Sequence, residues 1–174
     1  FNPSVSLKGA YYKQNLWTRT AIPNDSPKAY KVIVDAKQDL LKFTSLWLEY
    51  AKIDDAFHMT EDGKSTAYSN YGAEVLKNRG KKTSDGETSV FFARADQKWS
   101  DKWSTFQRYV NADFSDAGVD DTKNYTFGVA YQLNPAVRFE LLYDKIDYGQ
   151  HGSGVTDKET GDDHLIRFRT HVVF

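Results

Sequence analysis

The stretch Tyr125-Thr126-Phe127-Gly128-Val129-Ala130-Tyr131-Gln132-Leu133 decides the fold. Its large apolar side chains, Tyr125, Phe127, Val129, Tyr131 and Leu133, fall at every second position, with small or polar residues between them. A period of two belongs to an extended strand, whose successive side chains point to opposite faces; a helix needs spacings of three and four. Asn134-Pro135 follows at once, and proline presets a turn dihedral and has no N–H to give a ladder. The alternation then resumes with Val137, Phe139, Leu141 and Tyr143 in one phase, Arg138, Glu140 and Asp144 in the other, and Leu142 out of pattern. The last stretch, 163–174, places Ile166, Phe168, Val172 and Phe174 on one face with Thr170 among them, and Arg167, Arg169 and His171 opposite.

Working back from this hairpin, five more alternating stretches are legible. Residues 3–12 alternate through Val5, Leu7 and Tyr11, and 28–36 through Tyr30, Val32 and Val34. Residues 43–53 carry Leu46, Leu48 and Tyr50 against Trp47 and Glu49, and 87–99 carry Phe91, Ala93, Ala95 and Trp99 against Arg94, Asp96 and Lys98. In 103–114 the apolar set is Phe106, Val110, Ala112 and Phe114, but Arg108 shares its face. Simple alternation gives no account of Arg108; a bulge, a local register or a subunit contact would each place it. Eight strands result. Their connections alternate in length: 14–27 is long, 37–41 short, 54–86 very long, 100–102 short, 115–122 intermediate, 134–135 short and 149–162 long. The longest has room for one helical turn around Ala73 to Lys77. An up-and-down membrane barrel has this pattern, with short turns at the periplasmic end and long loops outside. The expected fold is therefore all-β, an antiparallel up-and-down transmembrane β-barrel spanning 1–174.

Composition narrows the class. The chain of 174 residues has 24 acidic and 23 basic side chains, a formal net charge of −1, which excludes the strongly basic profile of a nucleic-acid binder. It has no cysteine, hence no disulfide and no thiolate metal site. Mean hydropathy is −0.66 and no apolar run approaches the roughly 20 residues of a spanning helix. Membrane strands are only half apolar, so a barrel is untouched by that test. The 11 Tyr, 11 Phe and 4 Trp are a β-type composition. The first residue is Phe1, with no signal peptide before it, so the chain is expected to be processed or part of something longer.

Alternation alone does not say which face is buried. Three features favour the membrane order, apolar outside and polar inside. The polar phase of the last two strands bears full charges: Arg138, Glu140, Asp144, Arg167 and Arg169. The apolar phases end in aromatics, Tyr125, Tyr143, Trp99, Trp103 and Phe174, as interfacial girdles do. Phe168, Val172 and Phe174 fall at alternate positions back from the carboxyl end.

That ending resembles the closing-strand signal of bacterial outer-membrane proteins, in which a terminal Phe is read by the barrel-assembly machinery; the resemblance implies Phe168, Val172 and Phe174 as the signal. More broadly, Trp47-Leu48-Glu49-Tyr50-Ala51-Lys52, Tyr125 to Tyr131 and Arg167-Phe168-Arg169-Thr170-His171-Val172-Val173-Phe174 resemble the C-terminal barrel of OmpM-type porins of diderm Firmicutes. The resemblance implies the C-terminal half of a barrel of about 16 strands. It also implies a homotrimer, outer-membrane lipid and lipopolysaccharide as surroundings, and attachment to peptidoglycan or a secondary wall polymer only through a surface-layer-homology domain outside this chain.

The candidate pore-lining residues are Arg94, Arg138, Glu140, Asp144, Arg167, Arg169 and His171. In an eight-stranded barrel they would fill the interior as an ion-pair network; in one of about 16 strands they would face an open lumen. The basic cluster Lys77, Arg79, Lys81 and Lys82 reads either as a loop folded toward a constriction or as a hydrated loop near lipid headgroups. His58, His151, His164 and His171 form no metal-binding spacing, although His164 follows Asp162-Asp163, and the acidic run 113–121 lacks the EF-hand pattern and is expected to be a solvated external loop. No metal, cofactor or catalytic residue is expected. A passive diffusion channel in the outer membrane is the leading function. A small eight-stranded barrel for adhesion or envelope anchoring, a soluble lipocalin-type binder and an outer-membrane enzyme are the other readings.

Overall fold

The computed structural model describes residues 4–14, 26–54, 87–115, 120–147, 149 and 162–173. They form one antiparallel sheet of eight strands, neighbours in sequence being neighbours in space. The strands are β1 (Val5–Lys13), β2 (Lys28–Ala36), β3 (Thr44–Ile53), β4 (Thr88–Lys98), β5 (Trp103–Phe114), β6 (Thr122–Asn134), β7 (Val137–Asp147) and β8 (Asp162–Val172). The all-β, up-and-down arrangement of eight strands is as the alternation predicts. Among the described residues the sheet does not close: β1 pairs with β2 alone, and β8 with β7 alone.

The three short connections lie together at one end, and local chemistry fixes each. Asn134 Oδ1 accepts the Ala136 N–H at 2.9 Å, and Pro135 presets the bend. Beside this turn the register shifts between Gln132 and Asn134, and Gln132 Nε2 donates to the Asn134 carbonyl at 2.6 Å, tying the irregularity down. Between β4 and β5, Ser100 Oγ accepts the N–H groups of Lys102 (3.2 Å) and Trp103 (3.0 Å). Lys98 reaches Asp101 at 2.9 Å and, through that hydrogen bond, holds its carboxyl below the ordinary range. Between β2 and β3 lies a four-residue helix, α1 (Gln38–Leu41), where only a short link was expected. It ends at Lys42, φ +65°, with Phe43 N–H donating to the Leu41 carbonyl at 2.9 Å, a strained γ-turn. Ser4 donates to Asp39 at the start of α1 and keeps that carboxyl low as well.

The two faces differ in the sense the charged phase predicts. On the outer face large apolar side chains are exposed: Phe127 is 46% accessible, Leu141 53%, Phe168 67% and Ile166 72%. The inner face is the buried one, yet it holds Glu49 and Asp144 at 1% each, together with Asn124 and Thr126. The inner face is itself divided. Toward the end of the long connections, Ala29, Ala51, Ile53, Val90, Phe92, Val110, Ala112 and Phe114 form an apolar cluster, with Trp47 against it. Most of the ions occupy the middle and the short-turn end, with Lys31 and Asp163 nearer the long connections.

This division resolves Arg108. On β5 the inner face carries Phe106, Val110, Ala112 and Phe114, and Arg108 belongs with them. The apolar phase of β5 points inward, opposite to the apolar phases of its neighbours; the ladder with β4 and β6 imposes it, through Arg94 opposite Arg108 and Arg108 opposite Thr126. No bulge is needed.

Candidate functional site

Antiparallel register turns the seven predicted site residues into a surface. Arg94, Arg138, Glu140, Asp144, Arg167, Arg169 and His171 all fall on the inner phase of β4, β7 and β8. Cross-strand rows can be followed through the sheet. One runs Arg94, Arg108, Thr126, Asp144. The next runs Asp96, Phe106, Gly128, Leu142, Arg167, and the next Lys98, Ser104, Ala130, Glu140, Arg169.

Asp144 is the hub of the first row. Its Oδ1 accepts from the Thr126 hydroxyl and lies 3.7 Å from Arg108 Nη2, while its Oδ2 meets Arg167. Arg108 also donates to Thr126 Oγ1 at 3.2 Å. A buried carboxylate costs several kcal/mol to desolvate unless it is paired and hydrogen-bonded, and two guanidinium groups plus a hydroxyl offset that cost here. Arg94 grips Asp96 through two bonds, Nε to Oδ2 at 2.7 Å and Nη2 to Oδ1 at 2.6 Å. Glu140 bridges Arg138 (2.7 Å) and His171 (3.1 Å) and stands opposite Arg169 in the register.

Arg94 and Arg108, directly opposed like charges, would repel. Both lie over the ring of Phe106, at 5.1 and 5.8 Å from its centroid. The negative face of the ring attracts both cations. Phe106 fits because residue 128 is glycine: an ideal Cβ there would stand 2.8 Å from Phe106 Cε2 and closer still to Cζ and Cε1. The aromatic ring covers the bare backbone of β6. An open cleft of about 290 Å³ adjoins this surface at the short-turn end, lined by Arg94, Asp96, Lys98, Ser104, Gln132 and Arg138 among others.

Sequence reasoning missed several inner-face ions. Glu49 accepts from Trp47 Nε1 at 3.1 Å and pairs with Lys31 at 3.4 Å; Lys8 pairs with Asp35 at 3.3 Å and lies over the Trp47 ring. The signal was present, since each of these ions shares the phase opposite its strand's exposed apolar residues. The Asp162-Asp163-His164 trio does not assemble. Asp163 faces inward, whereas Asp162 pairs with Lys145 at 2.9 Å and His164 Nδ1 shares a hydrogen bond of 2.6 Å with the Tyr143 hydroxyl. Phe168 and Val172 lie on the outer face of β8. Phe174, His58, His151, the 73–77 turn, the cluster Lys77, Arg79, Lys81 and Lys82, and 116–119 of the acidic run lie outside the described residues.

The outer face carries aromatic contacts near both ends of the strands. Toward the short turns, Phe43 meets Trp99 edge-on, Trp103 packs on Tyr131, and Phe139 stacks on Phe168. Toward the long connections, Tyr109 bridges Phe91 and Tyr125. Leu46, Ala95, Phe127, Val129 and Leu141 lie between the two bands, together with Gln97, Thr105 and Gln107. Comparison of the chain with protein-family models, curated proteins and solved structures finds no match.

Proposed function

We propose that this chain forms part of the wall of a water-filled pore in the bacterial outer membrane, through which small hydrophilic solutes diffuse passively. One observation carries the reading: the buried face of the sheet holds the ion-pair rows beside an apolar cluster, and the exposed face is mostly apolar and banded by aromatics. A soluble sheet would lose free energy by that order, since exposed apolar patches of this extent favour association, whereas hydrocarbon favours it. Strands of 9 to 13 residues match the length that crosses a bilayer when tilted, about 9–11 residues. The unpaired edges of β1 and β8 favour a wall continued by further strands over a self-contained eight-stranded barrel used for adhesion or anchoring, which would pair those edges with each other.

On this reading lipid and lipopolysaccharide surround the outer face, and barrel-assembly machinery inserts it. The porin resemblance adds a homotrimer and wall attachment through a separate domain. Arg94, Arg138, Glu140, Asp144, Arg167, Arg169 and His171 are the pore-lining set, joined by Arg108 and Asp96. No catalytic step or cofactor is involved. The test is planar-bilayer conductance of the full-length protein. Stepwise openings of porin size are expected, with ion selectivity altered by Arg138→Ala or Arg169→Ala; absence of conductance overturns the proposal.

A further inference from the structure

We infer that this wall passes anions in preference to cations, with small carboxylates and phosphates as its solute class, an inference that rests on the pore reading above. Along β4, β5, β7 and β8 five guanidinium groups, those of Arg94, Arg108, Arg138, Arg167 and Arg169, share three carboxylates, Asp96, Glu140 and Asp144. Both oxygens of each carboxylate are already engaged: Asp96 by Arg94, Glu140 by Arg138 and His171, and Asp144 by Arg108, Thr126 and Arg167. Arg169 is exposed on the same face, and Arg94 stands directly opposite Arg108 in the register.

Elsewhere on the inner face, among the described residues, charges cancel in pairs. Lys8 meets Asp35, Lys31 meets Glu49, and Lys98 meets Asp101 in the adjoining turn. Asp163 shares the inner phase of β8 but lies four residues from Arg167, about 13 Å along a strand, beyond a Debye length of about 8 Å at physiological salt. The positive surplus is therefore concentrated on one strip. A guanidinium fork matches the geometry of carboxylate and phosphate oxygens, and the partly open Arg94, Arg138 and Arg167 with the exposed Arg169 offer successive weak sites between which an anion can move.

The experiment is the reversal potential of the full-length protein in a planar bilayer under a tenfold KCl gradient. Chloride permeability above that of potassium is expected. Arg169→Gln, at an exposed position that folding tolerates, lowers the chloride-to-potassium ratio about twofold, and Asp96→Asn raises it by a similar factor. A channel that conducts but favours potassium, or whose ratio neither substitution moves, overturns this inference and leaves the pore reading standing. Absence of conductance overturns both.

Discussion

Gly128→Ala tests the packing that holds the arginine strip in place. The new methyl group would meet Phe106 far inside the 3.5–4.0 Å of ordinary carbon contact. Phe106 is buried at 5% exposure, so the ring has little room to yield. If it tilts away, it leaves the two guanidinium groups it supports, Arg94 and Arg108. Overpacking of this kind costs about 1–3 kcal/mol, and each weakened cation–π contact adds about 0.5–1 kcal/mol. A loss of about 2–5 kcal/mol is expected in urea unfolding of the micelle-refolded protein followed by tryptophan fluorescence. The control is Phe106→Ala, which removes the obstacle. In that background alanine at 128 should be neutral or favourable by about 0.5–1 kcal/mol, because glycine loses more backbone freedom in a strand. The double-mutant coupling should thus exceed about 2 kcal/mol. If Gly128→Ala costs the same with and without the ring, or nothing in either, then Phe106 does not lie over β6 as described and the account of the opposed arginines fails.

Asp144→Asn leaves Arg108 and Arg167 without their shared charge and should cost about 3–5 kcal/mol in the same assay, as for other broken buried pairs; a loss below about 1 kcal/mol would mean that water already screens the site. Phe127→Arg separates the environments of the outer face. At 46% exposure a soluble protein would tolerate it within about 0.5 kcal/mol, whereas in lipid a charge near the midplane costs about 2–4 kcal/mol. Unfolding equilibria in phospholipid vesicles distinguish the two, and a neutral result counts against the membrane order.

Most strand limits were readable because turn chemistry sits at them: Asn134-Pro135 between β6 and β7, and Ser100 between β4 and β5. The helix α1 was not, since four residues are too few to display a period. The face of each predicted pore residue was legible from its phase. The partners were not, because phase gives the face and leaves register open. Thr126 and Asp144 are 18 residues apart, and only the ladder of β6 with β7 makes them opposite. β5 shows the limit of hydrophobicity as a guide. Val110, Ala112 and Phe114 face inward because the inner face near the long connections is apolar, so on this strand the charged Arg108 marks the phase shared with Arg94.

The apolar residues of the charged face have their own logic. Phe106, Gly128 and Leu142 stand in one cross-strand row, with the Arg94–Arg108–Asp144 row on one side and the Glu140–Arg169 row on the other. Leu142, out of pattern in the alternation, is 2% exposed in this position. The apolar middle of this row, which ends in Asp96 and Arg167, keeps water from the flanks of both ion rows and so strengthens their pairing. Exposure of the ions is graded across the sheet. Asp144 is sealed on β7, the Arg167 side chain beside it is partly open, and Arg169 at the outermost strand is exposed. Accessibility rises toward β8 because that strand has no neighbour on its far side, as it does toward β1 at the opposite edge; the burial of Asp144 and Arg108 is set by the strands that flank them on both sides.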